Sequence, residues 1–272
     1  MSTDVLSEII EHYRAGREAE RLSEGAGALE RVRTEQIITR YLTPPPGRVL
    51  DVGGGPGTYA TWLLQQGYDV ELIDPVPTHI ELATRQFQQH ATRGVARLGD
   101  ARQLDVADAS CACVLLLGPL YHLTERDDRV RALAEARRVL RPGGVAFVAA
   151  ISRFASLLDG FSRTLIRDPY FVSIMERDLT DGQHRNLANA DYFTTAFLHR
   201  PEELTGEIDD AGLQLDALLA VEGPFWFMNG FAELWHDADT LRLMLELLTR
   251  VEAEPSMLGA SAHWLAVVRR PE

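Results

Sequence analysis

One stretch constrains this chain more than any other: Val49-Leu50-Asp51-Val52-Gly53-Gly54-Gly55-Pro56-Gly57-Thr58. An apolar run carrying one acid reads as the end of a buried strand, and the residues from Thr58 onward (Tyr59, Trp62, Leu63, Leu64) have helical apolar spacing. Between them Gly53, Gly55 and Gly57 give a G-x-G-x-G loop. Glycines at such a turn let backbone approach a ligand where a Cβ leaves no room, and they tolerate positive φ. The helix N-terminus that follows offers unpaired N–H groups and partial positive charge to a polar or anionic group.

The chain around this stretch alternates. Strands are expected near Val49–Gly53, Asp69–Asp74, Val95–Gly99, Ala112–Leu117 and Val145–Ile151, with helices between them. The clearest helix is Arg126–Leu140, stopped by Arg141-Pro142-Gly143-Gly144. Such alternation implies a doubly wound, mostly parallel sheet covered by helices on both faces, a three-layer α/β fold. Ligands in such sheets bind beyond the carboxyl ends of the strands.

Four regions follow. Residues 1–46 read as a helical N-terminal cap, with Tyr13, Arg17 and Arg21 on one helix face, a break at Gly25-Ala26-Gly27, and a second helix carrying Ile37, Ile38, Tyr41 and Leu42. Residues 47–151 hold the alternating core. Residues 152–200, rich in Phe, Tyr and Leu, are expected as an irregular or helical lid over a substrate. Residues 201–272 return to the core through a helix Pro201–Ala211, a strand Leu213–Val221, an insertion at about 223–259 and a last strand Ser261–Arg269.

With 27 Lys and Arg against 40 Asp and Glu, the net charge is −13. That balance argues against a nucleic-acid or anionic-membrane partner, since phosphate binding needs clustered cations. The longest apolar run, Cys111 to Tyr121, is too short to span a bilayer, and the N-terminus shows no secretory signal. Cys111 and Cys113 read as buried thiols, and a cytoplasmic location is expected.

A dinucleotide loop, G-x-G-x-x-G, needs its third glycine at position 58, where Thr58 stands. Asp51-Val-Gly-Gly-Gly-Pro-Gly, Ile73-Asp74-Pro75, Gly99-Asp100-Ala101 and Leu140-Arg-Pro-Gly-Gly144, in this order over about residues 48–150, together resemble the class I S-adenosylmethionine-dependent methyltransferase family. The segment Leu117-Gly118-Pro119-Leu120-Tyr121-His122-Leu123 is similar to that of bacterial small-molecule members. The resemblance implies the seven-stranded class I methyltransferase fold, S-adenosyl-L-methionine as methyl donor and S-adenosyl-L-homocysteine as product.

It also implies roles. Gly53, Gly54, Gly55 and Gly57 would bring backbone to the methionine part of the cofactor, with Asp51 near its amino group. Asp74 would hold the ribose hydroxyls, Pro75 and Leu117 would flank the cofactor, Asp100 would accept from the adenine amine and the Ala101 N–H would meet a ring nitrogen. An N-cap for a following helix is the other reading of Asp100. Tyr13 and Arg21 would fold over the cofactor, an arginine pairing with its carboxylate, or else lie on a solvated helix face.

Methyl transfer from a sulfonium needs an in-line nucleophile, exclusion of water and, for a protonated acceptor, a base. His122, just beyond the fourth strand, is the candidate base, and Tyr121 an orienting or wall residue. His184, His199 and Tyr192 are secondary pocket candidates. The spacing of His and carboxylate residues suggests no metal. The expected function is methylation of O, N or an electron-rich carbon of a small, aromatic-containing molecule. The rivals are a cofactor-binding regulatory protein without turnover and an NAD-linked oxidoreductase.

Overall fold

The computed structural model describes residues 8, 13, 22, 25–89, 94–186, 189, 191–227 and 234–272. Five strands, β1 (Arg48–Val52), β2 (Asp69–Asp74), β3 (Gly94–Leu98), β4 (Cys111–Leu116) and β5 (Leu140–Ser152), run parallel in the order β3-β2-β1-β4-β5. The chain winds outward from β1 to β3 and returns to β4 on β1's other side, so the topological switch lies between β1 and β4. Asp51 pairs in register with Leu115 there.

Beyond β5 the chain contributes β9 (His263–Arg269), antiparallel to β5, and β8 (Gln214–Ala220), antiparallel to β9. The start of β9 therefore lies at the same edge of the sheet as the carboxyl ends of β1 to β5. Alternation along the strands divides the core. Val49, Cys113, Leu115, Phe147 and Leu265 pack beneath α1 (Gly25–Tyr41), α2 (Thr58–Gln65) and α3 (Pro77–Gln89). On the opposite face Leu50, Val114, Ala146 and Trp264 meet α5 (Arg126–Val139) and α8 (Pro201–Asp210), after the short α4 (Pro119–His122). This is the three-layer fold expected.

Several boundaries differ from expectation, each for a local reason. The second helix begins within the expected break, Gly25-Ala26-Gly27 forming its first turn with Gly25 at φ +55, and most of the first helix lies outside the described residues. No helix joins β3 to β4: residues 99–110 turn on Asp100, which accepts from the Arg102 N–H at 2.9 Å, so Asp100 caps a turn and not a helix. Helix α5 ends at Val139, and Arg141-Pro142-Gly143-Gly144 lies within β5, where the ladder to β4 shifts register and Gly143 takes φ +69.

Residues 152–200 are also more ordered than an irregular lid. They form α6 (Ala155–Ser162), α7 (Pro169–Asp181), β6 (Gln183–His184) and β7 (Ala196–His199). Strand β7 pairs parallel with β5 at Ile151↔Leu198, while β9 pairs with the same Ile151. A strand has two edges, so β7 takes the edge that β4 leaves after Leu116 and stands beyond β4's carboxyl end. Helices α9 (Ala238–Val251) and α10 (Pro255–Leu258) precede β9. No described helix is long and apolar enough to cross a membrane.

Buried charges tie these layers. Arg129 of α5, 3% exposed, makes a bidentate pair with Glu207 of α8, lies 3.7 Å over the Phe197 ring and donates to the Leu123 and Thr124 carbonyls. Arg33 of α1 reaches Glu252, which also receives both Nη atoms of Arg40. Removing one member of such a pair leaves an uncompensated buried charge. Arg129→Ala is expected to lower unfolding free energy by about 3–5 kcal/mol, measured by urea titration; a loss below about 1 kcal/mol contradicts this account.

Candidate functional site

One cavity follows the carboxyl edge of the sheet from β3 to β8. At the β3, β2 and β1 end it is bordered by Asp100, Ala101, Asp74, Pro75, Asp51 and the loop residues Gly53 to Pro56. Past the switch point it meets Leu117, Tyr121 and His122 after β4, then Ala149 of β5, His263 and Leu265 of β9, and Val221 after β8. Its cover is N-terminal: Tyr13, Leu22, Glu30 and Thr34. The described residues of 152–200 contribute nothing to the lining.

Of the residues singled out from sequence, Gly57 stands apart. It is the N-cap of α2 at φ +91, where a Cβ would lie 3.2 Å from the Ala83 Cβ, so it packs helix on helix. Arg17 and Arg21 lie outside the described residues. His184, His199 and Tyr192 are held elsewhere, by Asp178 (2.8 Å), Glu207 (3.2 Å) and Asp168 (2.6 Å) respectively.

The glycine loop is packed at backbone distance. A Cβ on Gly53, at φ +69, would fall 2.5 Å from the Pro119 ring, and one on Gly54 would fall 2.5 Å from Asp51 Oδ2 and 2.7 Å from Leu72. Gly55, at φ +56, donates its N–H to Asp74 Oδ2 at 2.9 Å. The loop is thereby fixed between the ends of β2 and β4.

Beneath it Asp51 is fully buried, and neither carboxylate oxygen meets hydrogen-bond geometry with a partner among the described residues. Burial pushes its pKa up to about 7, and the nearby Asp74 charge adds to the shift, while the Ala60 N–H in the first turn of α2 acts in the opposite direction. Asp74 itself is well satisfied: Oδ1 accepts from the Val76 N–H at 2.9 Å and faces His79 Nδ1 at 3.0 Å. Asp100 is half-exposed; burial opposes its ionisation, but hydrogen bonds from Arg102 outweigh that and hold it below the usual carboxylate range.

Across the switch point the aromatic groups interlock. The Tyr13 hydroxyl lies 2.7 Å from His122 Nε2, and His122 Nδ1 lies 3.3 Å from the Thr195 carbonyl. A carbonyl only accepts, so Nδ1 carries the ring proton and Nε2 accepts from Tyr13. The Tyr13 ring meets both His79 (5.5 Å) and His122 (5.4 Å) edge-on, and Tyr121 packs edge-on to His122 at 4.7 Å.

The far end of the cavity holds a cluster that sequence reading missed. His263 Nδ1 lies 2.5 Å from Glu222 Oε1 and 3.8 Å from Glu30 Oε2. Glu222, 2% exposed, also accepts from Ser261 Oγ at 2.9 Å and from the His263 N–H at 3.0 Å. Glu30, Glu222 and His263 come from α1, the end of β8 and the start of β9, and only the folded sheet brings them together. Glu222 and His263 stand 41 residues apart in sequence, so no local spacing signalled the pair.

Comparison with known proteins agrees with this geometry. Residues 49–144 match the family described as "Methyltransferase domain". An uncharacterized methyltransferase of Mycobacterium tuberculosis is 36% identical over 121 residues, 43% of this chain and 46% of that one. A ubiquinone biosynthesis O-methyltransferase of Azorhizobium caulinodans is 28% identical over 180 residues, 66% of this chain and 64% of that one. The chain spans about half the length of the first of these relatives.

Among solved structures, a SAM-dependent methyltransferase of Methanosarcina mazei superposes with a TM-score of 0.59 at 18% identity, covering 86% of this chain and 97% of the other. The Burkholderia thailandensis 1,6-didemethyltoxoflavin-N1-methyltransferase gives 0.59 at 18%, covering 99% and 88%. The [4+2]-cyclase SpnF gives 0.56 at 17%, covering 89% and 81%. The chain has the Rossmann-like class I methyltransferase fold, and its residues 49–144 carry the match to the methyltransferase domain.

A carboxyl group whose pKa rises from 3.8 to about 7 on folding holds its proton more tightly in the native state. Its contribution to stability is present below pH 4 and is lost as pH rises through 7. Relative to Asp51→Asn, the ligand-free wild-type protein should therefore lose on the order of 4 kcal/mol between pH 4 and pH 8. Parallel curves for the two proteins in thermal or denaturant unfolding across that range would sink the assignment.

Proposed function

We propose that the chain transfers a methyl group from S-adenosylmethionine to O, N or an electron-rich carbon of a small molecule. The observation that carries this reading is the buried Asp51 carboxyl, without a hydrogen-bond partner among the described residues, on the wall of a cavity whose loop has no room for a Cβ at Gly53 and Gly54. Such a group stays protonated or, when ionised, is matched by a cation. The amino group of the cofactor's methionine part is one, and it belongs beside Gly53 to Gly55. S-adenosylmethionine, when bound, supplies an electrophilic methyl on positively charged sulfur and leaves as S-adenosylhomocysteine.

The other assignments follow the cavity wall. Asp74 Oδ1 already receives Val76 and His79, and Oδ2 receives Gly55, so one acceptor position remains at Oδ2 for a ribose hydroxyl. Asp100 and the Ala101 N–H serve the adenine edge, with Pro75 and Leu117 as apolar walls. Tyr13 closes the cavity above, and Arg21 remains the candidate partner of the cofactor carboxylate.

His122 has two roles open to it, and its contacts favour positioning. Both of its nitrogens are engaged, and it acts as a base only if the Tyr13 hydroxyl leaves Nε2. Tyr121 completes the wall between donor and acceptor. The relatives named as O- and N-methyltransferases of small molecules support a low-molecular-weight acceptor.

Calorimetric titration of the purified protein with S-adenosylmethionine tests the reading. Binding is expected. Asp51→Asn should weaken it about 10–100-fold, the worth of a charge-assisted hydrogen bond, and Gly54→Ala at least about tenfold by displacing the Asp51 carboxylate. Affinity should fall roughly tenfold per pH unit below pH 7 as Asp51 takes up a proton. Nicotinamide dinucleotide binding without S-adenosylmethionine binding overturns it.

A further inference from the structure

We propose that the His263–Glu222 dyad is the acceptor-side proton acceptor, and that the acceptor is a molecule methylated on a hydroxyl. This rests on the methyl-transfer reading and goes beyond it. The sheet order separates the two ends of the cavity. Asp100, Asp74 and Asp51 lie at the carboxyl ends of β3, β2 and β1, whereas Ala149 of β5, His263 and Leu265 of β9 and Val221 after β8 lie on the other side of the switch point. The donor residues take the first end, so an acceptor takes the second.

That second end is walled by apolar side chains, Leu22, Ala149, Val221 and Leu265, and its polar groups are Thr34, Glu30 and His263. His263 is oriented by a buried carboxylate. Nδ1 at 2.5 Å from Glu222 Oε1 is a hydrogen-bond distance and places the ring proton on Nδ1, which makes Nε2 the basic nitrogen. Glu222 is itself fixed by Ser261 Oγ and the His263 backbone N–H. The arrangement has the logic of a carboxylate that sets the tautomer of a histidine and stabilises its protonated form.

The same three residues are close enough to suggest a cation site, but their geometry points to a proton instead. Two ligands on one small divalent ion at about 2.0–2.3 Å each stand roughly 3 Å or more apart. Nδ1 and Oε1 stand 2.5 Å apart. Both Glu222 oxygens, moreover, already accept hydrogen bonds.

The step balances as follows. The acceptor O–H bond breaks and its proton passes to Nε2 of His263. The oxygen's electron pair forms the O–CH3 bond, and the pair of the broken S–CH3 bond stays on sulfur, which goes from sulfonium to thioether. The imidazolium charge is met by Glu222 and by Glu30 at 3.8 Å. The other ionisable groups on this cavity, among the described residues, are Asp51, Tyr59, Asp74, His79 and Asp100 toward the glycine-loop end, Tyr121 and His122 after β4, and Tyr13 above them. A ring-nitrogen acceptor, neutral at pH 7, attacks through its lone pair without losing a proton first, whereas a hydroxyl is a poor nucleophile until its proton is drawn away, so the dyad favours hydroxyl.

The test uses the full chain and His263→Gln and Glu222→Gln, with catechol, 3,4-dihydroxybenzoate and quercetin as hydroxyl probes and histamine as the amine probe. Transfer of labelled methyl is read at saturating S-adenosylmethionine, so that Asp51's titration drops out. Methylation of at least one hydroxyl probe is expected. His263→Gln should lower its rate about 10²–10⁴-fold, with S-adenosylmethionine affinity by calorimetry within threefold of wild type. Raising pH toward the probe's own ionisation should restore much of that rate, which a merely structural defect would not allow.

Independently of turnover, the imidazole 15N signals of His263 should show the proton on Nδ1, a preference that Glu222→Gln weakens. A His263→Gln rate within threefold of wild type overturns the proposal. So does a loss that high pH leaves unchanged, an Nδ1 without its proton, or transfer to histamine alone or to none of the probes by a protein that binds S-adenosylmethionine. Failure of the wild-type protein to bind S-adenosylmethionine removes the methyl-transfer reading itself, and the two failures are thereby told apart.

Discussion

A single unsatisfied carboxylate organises the donor half of this molecule. Asp51 sits at the end of the central strand, fully buried, on the face covered by α2, with neither oxygen in hydrogen-bond geometry with a described residue. Burying an ionisable group this way is destabilising, and the protein tolerates it because the surroundings leave the group nowhere else to go. Gly54 lies so close that no side chain fits between them, Leu72 closes one side, and the Ala60 N–H only partly offsets the burial. In the reading proposed above, the cofactor's amino group is the cation that this carboxylate would meet, and binding and stability would then be coupled through one residue.

Much of the donor half was legible in the sequence because it is local. The strand end, the three glycines and the acids after β2 and β3 are each read within a few residues of one another, and the parallel sheet then sets them side by side. The acceptor half is not local. His263, Glu222 and Glu30 come from the two ends of the chain, and no periodicity in either segment signals that β9 inserts between β5 and β8. Strand β7 escaped notice for a related reason: four residues, Ala196–His199, carry too little alternation to stand out, and they form a strand because β5 outruns β4 and leaves an edge to pair.

The glycines show how the same residue type serves different ends. Gly53 and Gly54 are required by close approach, to Pro119 and to Asp51, whereas Gly57 is required by its left-handed backbone and the packing of α2 on α3. The loop spacing alone does not separate these uses. Arg141-Pro142-Gly143-Gly144 makes the same point: it reads as a helix stop, and it does follow a helix end, but its glycines shape a bulge inside the longest strand.

Where the acceptor is chosen also shifts once the cavity is followed to its end. The described residues of the insertion 152–200, expected as the lid, include Thr195 as a partner to His122 and none of the cavity lining. The cover there is instead α1, and α1 is not loosely placed. Arg33, one turn from Glu30 and beside Thr34, is fully buried and joined to Glu252 and to the Val221 carbonyl, so the helix is clamped to the ends of α9 and β8. Glu30 and Thr34 thus face the cavity from a rigid support, and His263 and Glu222 face it from the sheet. A shared fold also houses a protein described as a [4+2]-cyclase, so the fold by itself does not fix the reaction. The residues proposed to do so here lie between α1 and the β8–β9 pair, where the buried Arg33–Glu252 pair holds α1 in place.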